Sequence, residues 1–351
     1  WSYGWSGAVV TDNTFIQDYR ALNPGDTAIV SQAYLFRRGG RSYFDARLLH
    51  FYGLSPIDIQ KQLPVVHPLI DYKYVFDRPV FGGELGFNVN VLSLSRQQAD
   101  FDPVTQAALN GDLCNSNNPA ATLNRANCLL RGIPGTYSRA AAEVYWKRTF
   151  VDPYGQMFTP CVQVRGDLAQ ASISNQPGGS NYLPTGENSL FRAMPTIGLE
   201  YRYPFINVQS WGTQTFEPIA QIIARPNETG AGRFINEGSQ SLTFDDSNLF
   251  RVDKYTGWDR AEGGGRANVG VQYTAQFNQA GYLNALFGQS YHLFGENSFA
   301  YGGVTNTGLQ SGLDTRASDY VARVTYQPNS IYAFTSRARF RWDGRDIVLA
   351  S

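Results

Sequence analysis

At 351 residues the chain is about twice the size of an ordinary domain, and it is 42% hydrophobic, 14% aromatic and only 17% charged. Its 29 basic and 29 acidic residues cancel, which excludes the global positive field that nucleic-acid binding uses. No run of about 18 apolar residues encodes a membrane-spanning helix, yet 21 Tyr, 22 Phe and 35 Gly fit the composition of outer-membrane barrels, whose alternate strand residues face a polar interior.

Taken in chain order, the segments alternate with the period of two that puts successive strand side chains on opposite faces. The chain opens on the aromatic stretch WSYGW, and Trp1 reads as mid-sequence, so the residues are expected to be a piece of a longer protein. In IDYKYVF, Ile70, Tyr72, Tyr74 and Phe76 oppose Asp71, Lys73 and Val75. In ELGFNVNVL, Leu85, Phe87, Val89 and Val91 oppose Gly86, Asn88 and Asn90. TIGLEYRYPF places Ile197, Leu199, Tyr201, Tyr203 and Phe205 against Gly198, Glu200 and Arg202. The clearest case is RANVGVQYTAQFN, where Val269, Val271, Tyr273, Ala275 and Phe277 oppose Asn268, Gly270, Gln272, Thr274 and Gln276. NQAG turns the chain into YLNALFGQSYHLF, with Leu283, Ala285, Phe287, Tyr291 and Leu293 on one face. Near the end, Tyr320, Ala322, Val324 and Tyr326 alternate with Val321, Arg323 and Thr325, and Tyr332, Phe334, Ala338, Phe340 and Trp342 with Thr335, Arg337, Arg339 and Arg341.

Short connections (RRGGR, DRPVFGG, VDPYGQM, INVQSWGT, NQAG, PNS) alternate with long ones at roughly 11–28, 53–65, 97–140, 172–191, 226–264 and 295–316. Outer-membrane barrels have this asymmetry, with short periplasmic turns and long extracellular loops. A soluble sandwich or propeller would put more Leu, Ile and Val on its inner face; here one face is Tyr- and Phe-rich and the other Asn, Gln, Arg and Gly. The expected fold is therefore all-β, a large antiparallel transmembrane β-barrel of outer-membrane type, with roughly 13 strands readable over 1–351 as part of one barrel domain. An odd count makes the first and last strands run the same way, and DIVLAS supplies no closing aromatic-terminated strand, so the barrel is expected to be incomplete.

Chemistry-bearing residues are sparse. His50, His67 and His292 are far apart, with no metal-ligand or Cys-x-x-Cys spacing. His67 and His292 are candidates for a barrel hydrolase, or ordinary strand polar groups; no nucleophile, base and orienting set can be named, and no enzyme and no cofactor are expected. Cys114 and Cys128 share one polar segment and form either a local disulfide or two free thiols; Cys161 is left over. Asp245 and Asp246 supply either a cation site or turn chemistry. Arg337, Arg339 and Arg341, with Arg323 on the neighbouring strand, form an inward row suited to phosphate or carboxylate, or are scattered charges of a wet interior.

A stretch within 215–294 is more specific. Glu217 and Pro218 form an L-E-P-like strand; Asp245, Asn248, Leu249 and Phe250 form D-x-x-N-L-F; Gly257, Asp259 and Arg260 form G-x-D-R; Arg266 and Gly270 open an R-x-x-x-G strand; Gly288 and Gln289 mark a G-Q strand. In order and spacing these resemble the barrel of the LPS-assembly protein LptD family, and WSYGWSGAVVTDNTFIQDY is similar to that family's early barrel segment. The resemblance implies an LPS translocon of the Gram-negative cell outer membrane. It implies a plug lipoprotein of the LptE type inside the barrel, a periplasmic jelly-roll domain fed by LPS-bridge proteins, and contact with membrane lipid. It also implies passage of lipid A through a lateral opening and of sugar through the lumen. The jelly-roll and gate strands are not visible in this stretch. Cys161, after a short turn, is expected at the periplasmic rim, within reach of a cysteine in that unseen domain. The loop from Asn248 to Arg260 is expected either to fold over the lumen or to lie on the surface. A general or substrate-specific porin, or a non-transporting adhesin, remains the alternative.

Overall fold

A computed structural model describes residues 1–8, 10, 27–55, 58–230, 234–240, 242–279, 281–300, 307–341 and 347–350. The early loop with its D-x-x-(Y/F) pattern, part of the 295–316 loop and Trp342 lie outside the described residues.

Among the described residues the structure is one large antiparallel sheet. Its main path runs β1 (Ser2–Ser6), β2 (Ala28–Arg38), β3 (Ser42–Gly53), β4 (Val65–Val75), β5 (Glu84–Arg96), β8 (Gly135–Lys147), β10 (Met157–Ile173), β11 (Gly186–Arg202), β13 (Gly212–Ala224), β14 (Gly265–Phe277), β15 (Tyr282–Phe294), β16 (Tyr320–Gln327), β17 (Phe334–Phe340) and β18 (Ile347–Ala350). Two short strands extend it: β9 (Phe150–Val151) pairs with β10, and β12 (Phe205–Gln209) with β13. A separate hairpin, β6 (Asp100–Pro103) with β7 (Cys128–Gly132), lies inside the long loop after β5.

This all-β barrel wall agrees with the alternation in the sequence, with one correction. The path has fourteen strands, not thirteen, because Ile347–Ala350, from the DIVLAS segment, pairs with β17. The end strands β1 and β18 therefore run in opposite directions, and each pairs with a single neighbour among the described residues. The connection INVQSWGT also shrinks: its first residues belong to β12, which continues β11 past Pro204, and only Ser210 and Trp211 remain as the turn.

The register fixes the two faces. Gln221 pairs with Asn268, Asn268 with Ser290, and Arg323 with Arg337, all on one face. The opposite face carries exposed Val164, Leu168, Phe191, Ile197, Ile222, Val269 and Phe287. An aromatic belt on that outer face clusters beside the short turns. Phe44, Tyr72 and Phe87 meet edge to face, Phe158 contacts Tyr201, and Trp211 contacts Phe277. Such rings suit a membrane–water interface, with an apolar body and a wet edge.

The buried apolar core is not between two sheets. It sits on the inner face at the long-loop end, where Leu92, Leu94, Tyr137, Ala169, Ala171 and Ile173 of the strands meet Phe101, Leu130, Tyr182, Phe234 and Ile235 of the loops. The long loops thus fold inward. The loop after β5 is closed by a disulfide between Cys114 and Cys128, with Thr105 Oγ1 capping a five-residue helix at Gln106–Asn110. A covalent ring of 14-residue separation suits a segment with little regular structure of its own.

Candidate functional site: the inner wall and its inward loop

The motif residues converge on the contact between the 225–264 loop and the inner wall. Gly288 and Gly270 lie on neighbouring inner positions of β15 and β14, a direct register pair. A Cβ on Gly288 would stand 2.5 Å from Leu249 Cδ2, and one on Gly270 3.1 Å from the Phe250 ring. The two glycines leave a bare strip of backbone, and the Leu-Phe pair of the loop occupies it. Leu249 joins Phe244, Tyr255, Leu286, Phe299, Leu313 and Val321 in a second buried cluster.

The approach of Leu249 is set by the polar residues before it. Asn248 Oδ1 accepts from the Asp245 amide at 3.1 Å, and its Nδ2 donates to the Thr243 carbonyl at 2.7 Å. Asp245 takes the amide and hydroxyl of Ser247, at 2.8 and 2.6 Å, which is turn chemistry. Asp246 instead accepts from Arg323 at 3.1 Å and Arg337 at 3.0 Å. Both carboxylates thus serve protein donors.

Asp259 is a fully buried anchor. Its carboxylate accepts from the Tyr137 hydroxyl (3.0 Å), from Arg139, and from the Glu237 and Gly238 amides (2.8 and 2.5 Å). Arg260 donates to Glu228 at 2.9 Å, and Arg192 joins Glu228 (2.8 Å) to Asp167 (2.9 Å). Arg165 also holds Asp167 at 2.9 Å, and its guanidinium stacks over Trp258. Gly257, at φ +72°, turns the loop into this position, where a Cβ would lie 2.1 Å from the Gly238 carbonyl oxygen. Arg96 grips Glu237 through both terminal nitrogens at 2.7 and 2.8 Å. The wall residues Arg96, Arg139, Arg165, Asp167 and Arg192 are buried. Ionised groups taken out of water need partners of this quality, and removing one partner is far more costly than never having built the pair.

A second ionic knot lies at the loop's exit. Glu262 bonds Arg266 at 2.6 Å and faces Arg225 at 3.4 Å. Burial alone pushes the Glu262 carboxyl up, but Arg225, Lys254 and Arg266 outweigh it and hold the group at about 2. Lys254 is fully buried, and among the described residues its Nζ has no hydrogen-bond partner. Burial pulls it down to about 7.

Between wall and loop a polar cleft of about 380 Å³ remains, lined by Lys73, Asn88, Glu143 and Gln163 from the strands and by Arg251 and Trp258 from the loop.

Several motif residues lie elsewhere. Glu217 faces Arg202 at 3.7 Å on the inner face, and Pro218, one position on, faces outward. Gln289 is on the outer face and donates to the Ser318 carbonyl at 2.7 Å. Arg339 donates to the Ser311 carbonyl (2.7 Å) and faces Asp319 at 3.4 Å, while Arg341 is exposed beyond β17. The histidines do not assemble: His67 bonds Ser95 at 3.1 Å and His292 donates to the Gly295 carbonyl at 3.0 Å. Cys161 is four residues into β10, a free thiol on the inner face against Gly198. Arg96, Arg139, Arg165, Asp167, Arg192, Glu228, Glu237 and Lys254 were not singled out in the sequence. Their signal was a charge at an inward register position of a strand, or in a loop that already carried a motif.

No curated protein matches the chain. A family model described as LPS transport system D matches residues 1–351, and the chain belongs to that family, LptD.

Proposed function

We propose that this chain is wall and lid of an LPS translocon, in which the sugar of lipopolysaccharide passes along the polar inner face and lipid A leaves sideways into the outer leaflet. Family membership gives LPS transport and outer-membrane assembly; the finer route rests on one observation. The inner wall is polar and charged, and the loop with the family's motifs is bound to it by Asp259, Asp246 and Glu228, the last of which is held in turn by Arg260. A glycan has hydroxyls to exchange for water, so amides, carboxylates and guanidinia along a channel let it slide without a desolvation penalty. The outer face, apolar with an aromatic belt, suits lipid contact.

In this reading the chain is part of a larger barrel domain preceded by a periplasmic jelly-roll. Its partners are an LptE-type plug, the periplasmic LPS-bridge proteins and lipopolysaccharide itself. The loop blocks part of the lumen and must yield, or leave a path beside itself, while cargo passes. Deleting 246–262 tests this: LPS delivery and exclusion of large antibiotics should both fail while the barrel still folds. Normal delivery with the loop gone sinks the lid reading. An inward-folded loop also occurs in substrate-specific porins; ion conductance with no LPS defect on depletion would favour that reading instead.

A further inference from the structure

Arg323 and Arg337 are direct cross-strand partners on the inner face of β16 and β17. Like charges placed directly opposite repel, so this pair is unfavourable unless an anion sits between its members. Asp246 of the inward loop is that anion: its fully buried carboxylate divides its oxygens between the two guanidinia. One carboxylate against two arginines leaves a net positive charge.

The donors are not used up. Arg323 Nη2 reaches Asn284 at 2.6 Å, but its buried Nε has no acceptor among the described residues. Arg337 is 45% exposed, and among the described residues only its Nε is engaged. The next register pair on this face is Thr325 with Thr335, whose hydroxyls meet at 3.1 Å. Two guanidinium forks therefore converge on a single loop carboxylate, with the Asn284 side chain and the Thr325–Thr335 hydroxyl pair next to them on the same inner face. A phosphate group carries more charge and more acceptor oxygens than a carboxylate, and it takes bidentate bonds from planar guanidinium.

We propose that Arg323 and Arg337 form a phosphate subsite of the inner wall, self-occupied by Asp246 and exposed when the phosphate of a glycolipid cargo displaces that carboxylate, so that cargo arrival releases the loop. The inference deepens the translocon reading and rests on it for the identity of the cargo, though not for the anion chemistry.

The test uses the full-length protein with spin labels at Ser247→Cys and Gln327→Cys in a Cys161→Ser background, folded in detergent with its plug partner. Pulsed EPR reads the distance between loop and wall. A phosphorylated lipid A glycolipid should deplete the short-distance population, and the same glycolipid after dephosphorylation should not. Inorganic phosphate at matched concentration separates the sources: a response to it assigns the subsite to free anions as well, and a response to the glycolipid alone assigns it to the headgroup. Asp246→Asn should lengthen the distance without any probe and bind phosphate about tenfold tighter, since the competing charge-assisted bonds are gone. Arg323→Gln/Arg337→Gln, checked for barrel folding by heat-modified gel mobility, should show no response to any probe. If the translocon reading alone is wrong, the glycolipid arm falls silent while the inorganic phosphate arm still responds. An unchanged distance with every probe, or a response that persists in the double variant, overturns the proposal.

Discussion

Leu249 rests on the bare backbone of Gly288, at a distance that leaves no room for a Cβ: the added atom would sit 2.5 Å from Leu249 Cδ2 and 2.6 Å from the Val269 carbonyl oxygen. A loop residue and a strand residue 39 positions apart are thus fitted to one another. Gly288→Val should push the loop off the wall, and the β14 backbone at Val269 must shift as well to admit the side chain. Limited trypsin digestion reads this directly, because Lys254 and Arg260 are buried in the docked loop. Cleavage at those two sites is expected in Gly288→Val and not in the parent. Continued protection would mean that the glycine is not what seats the loop.

The Asp259–Arg139 contact is a buried ion pair between loop and wall. Asp259→Ala leaves Arg139 buried and strips acceptors from Tyr137 and two backbone amides. Breaking such a pair from one side costs about 3–5 kcal/mol. Equilibrium unfolding in urea with lipid vesicles should show a loss of that order for Asp259→Ala and a smaller one for Asp259→Asn. A loss under about 1 kcal/mol, the range of exposed pairs, would place the contact at the surface instead.

Two buried groups of the loop give pH signatures of the same sign in two separate windows. Glu262 is held down at about 2, below its unfolded value, so its contribution is present above roughly pH 4.5 and is lost as pH falls toward 2. Lys254 is also depressed, to about 7, but it is a base. The unfolded chain then binds the extra proton between about pH 7 and 10.5, so stability rises with pH across that window. Loop protection against a protease active over both ranges should decline on the acid side and improve on the alkaline side. Lys254→Met should flatten the alkaline limb and leave the acid limb intact. An alkaline limb that survives Lys254→Met would assign it to another group.

The Cys114–Cys128 bridge closes the loop that bears β6 and β7. For a ring of roughly 15 residues the chain-entropy model gives about 3 kcal/mol. Cys114→Ala/Cys128→Ala should therefore loosen this loop to proteolysis without changing the barrel's heat-modified mobility. Loss of that mobility would show that the bridge supports the wall itself.

Much of the wall was legible because a strand with lipid-like surroundings on one side and water on the other needs strict alternation, as in Val269–Phe277. Direction and loop length followed from the same pattern. The fourteenth strand was not legible: Ile347–Ala350 is too short to show a period and is recognised only by its pairing with β17. Nor was β12 readable: the alternation carries through Tyr203 to Phe205, but the residues after it read as the connection INVQSWGT. The loop's motifs identified the family, but not what they do. Local spacing shows that Asp259 and Arg260 are adjacent, whereas their partners Arg139 and Glu228 are set by folding over 120 and 32 positions. The same holds for Cys161: its turn placed it near one end of a strand, but only the register with Gly198 shows that its side chain faces inward.

The central claim is that lipopolysaccharide passes along the inner face. Neighbouring residues of β10 provide their own control, because Gln163 points into the polar cleft and Val164 points out. A photocrosslinking amino acid at position 163 should capture lipopolysaccharide in growing cells, in a manner that stops when upstream supply is depleted. The same label at 164 should give no adduct that depends on supply. Adducts at 164 and none at 163, or none at either inner position 163 or 88 during active transport, would contradict the account.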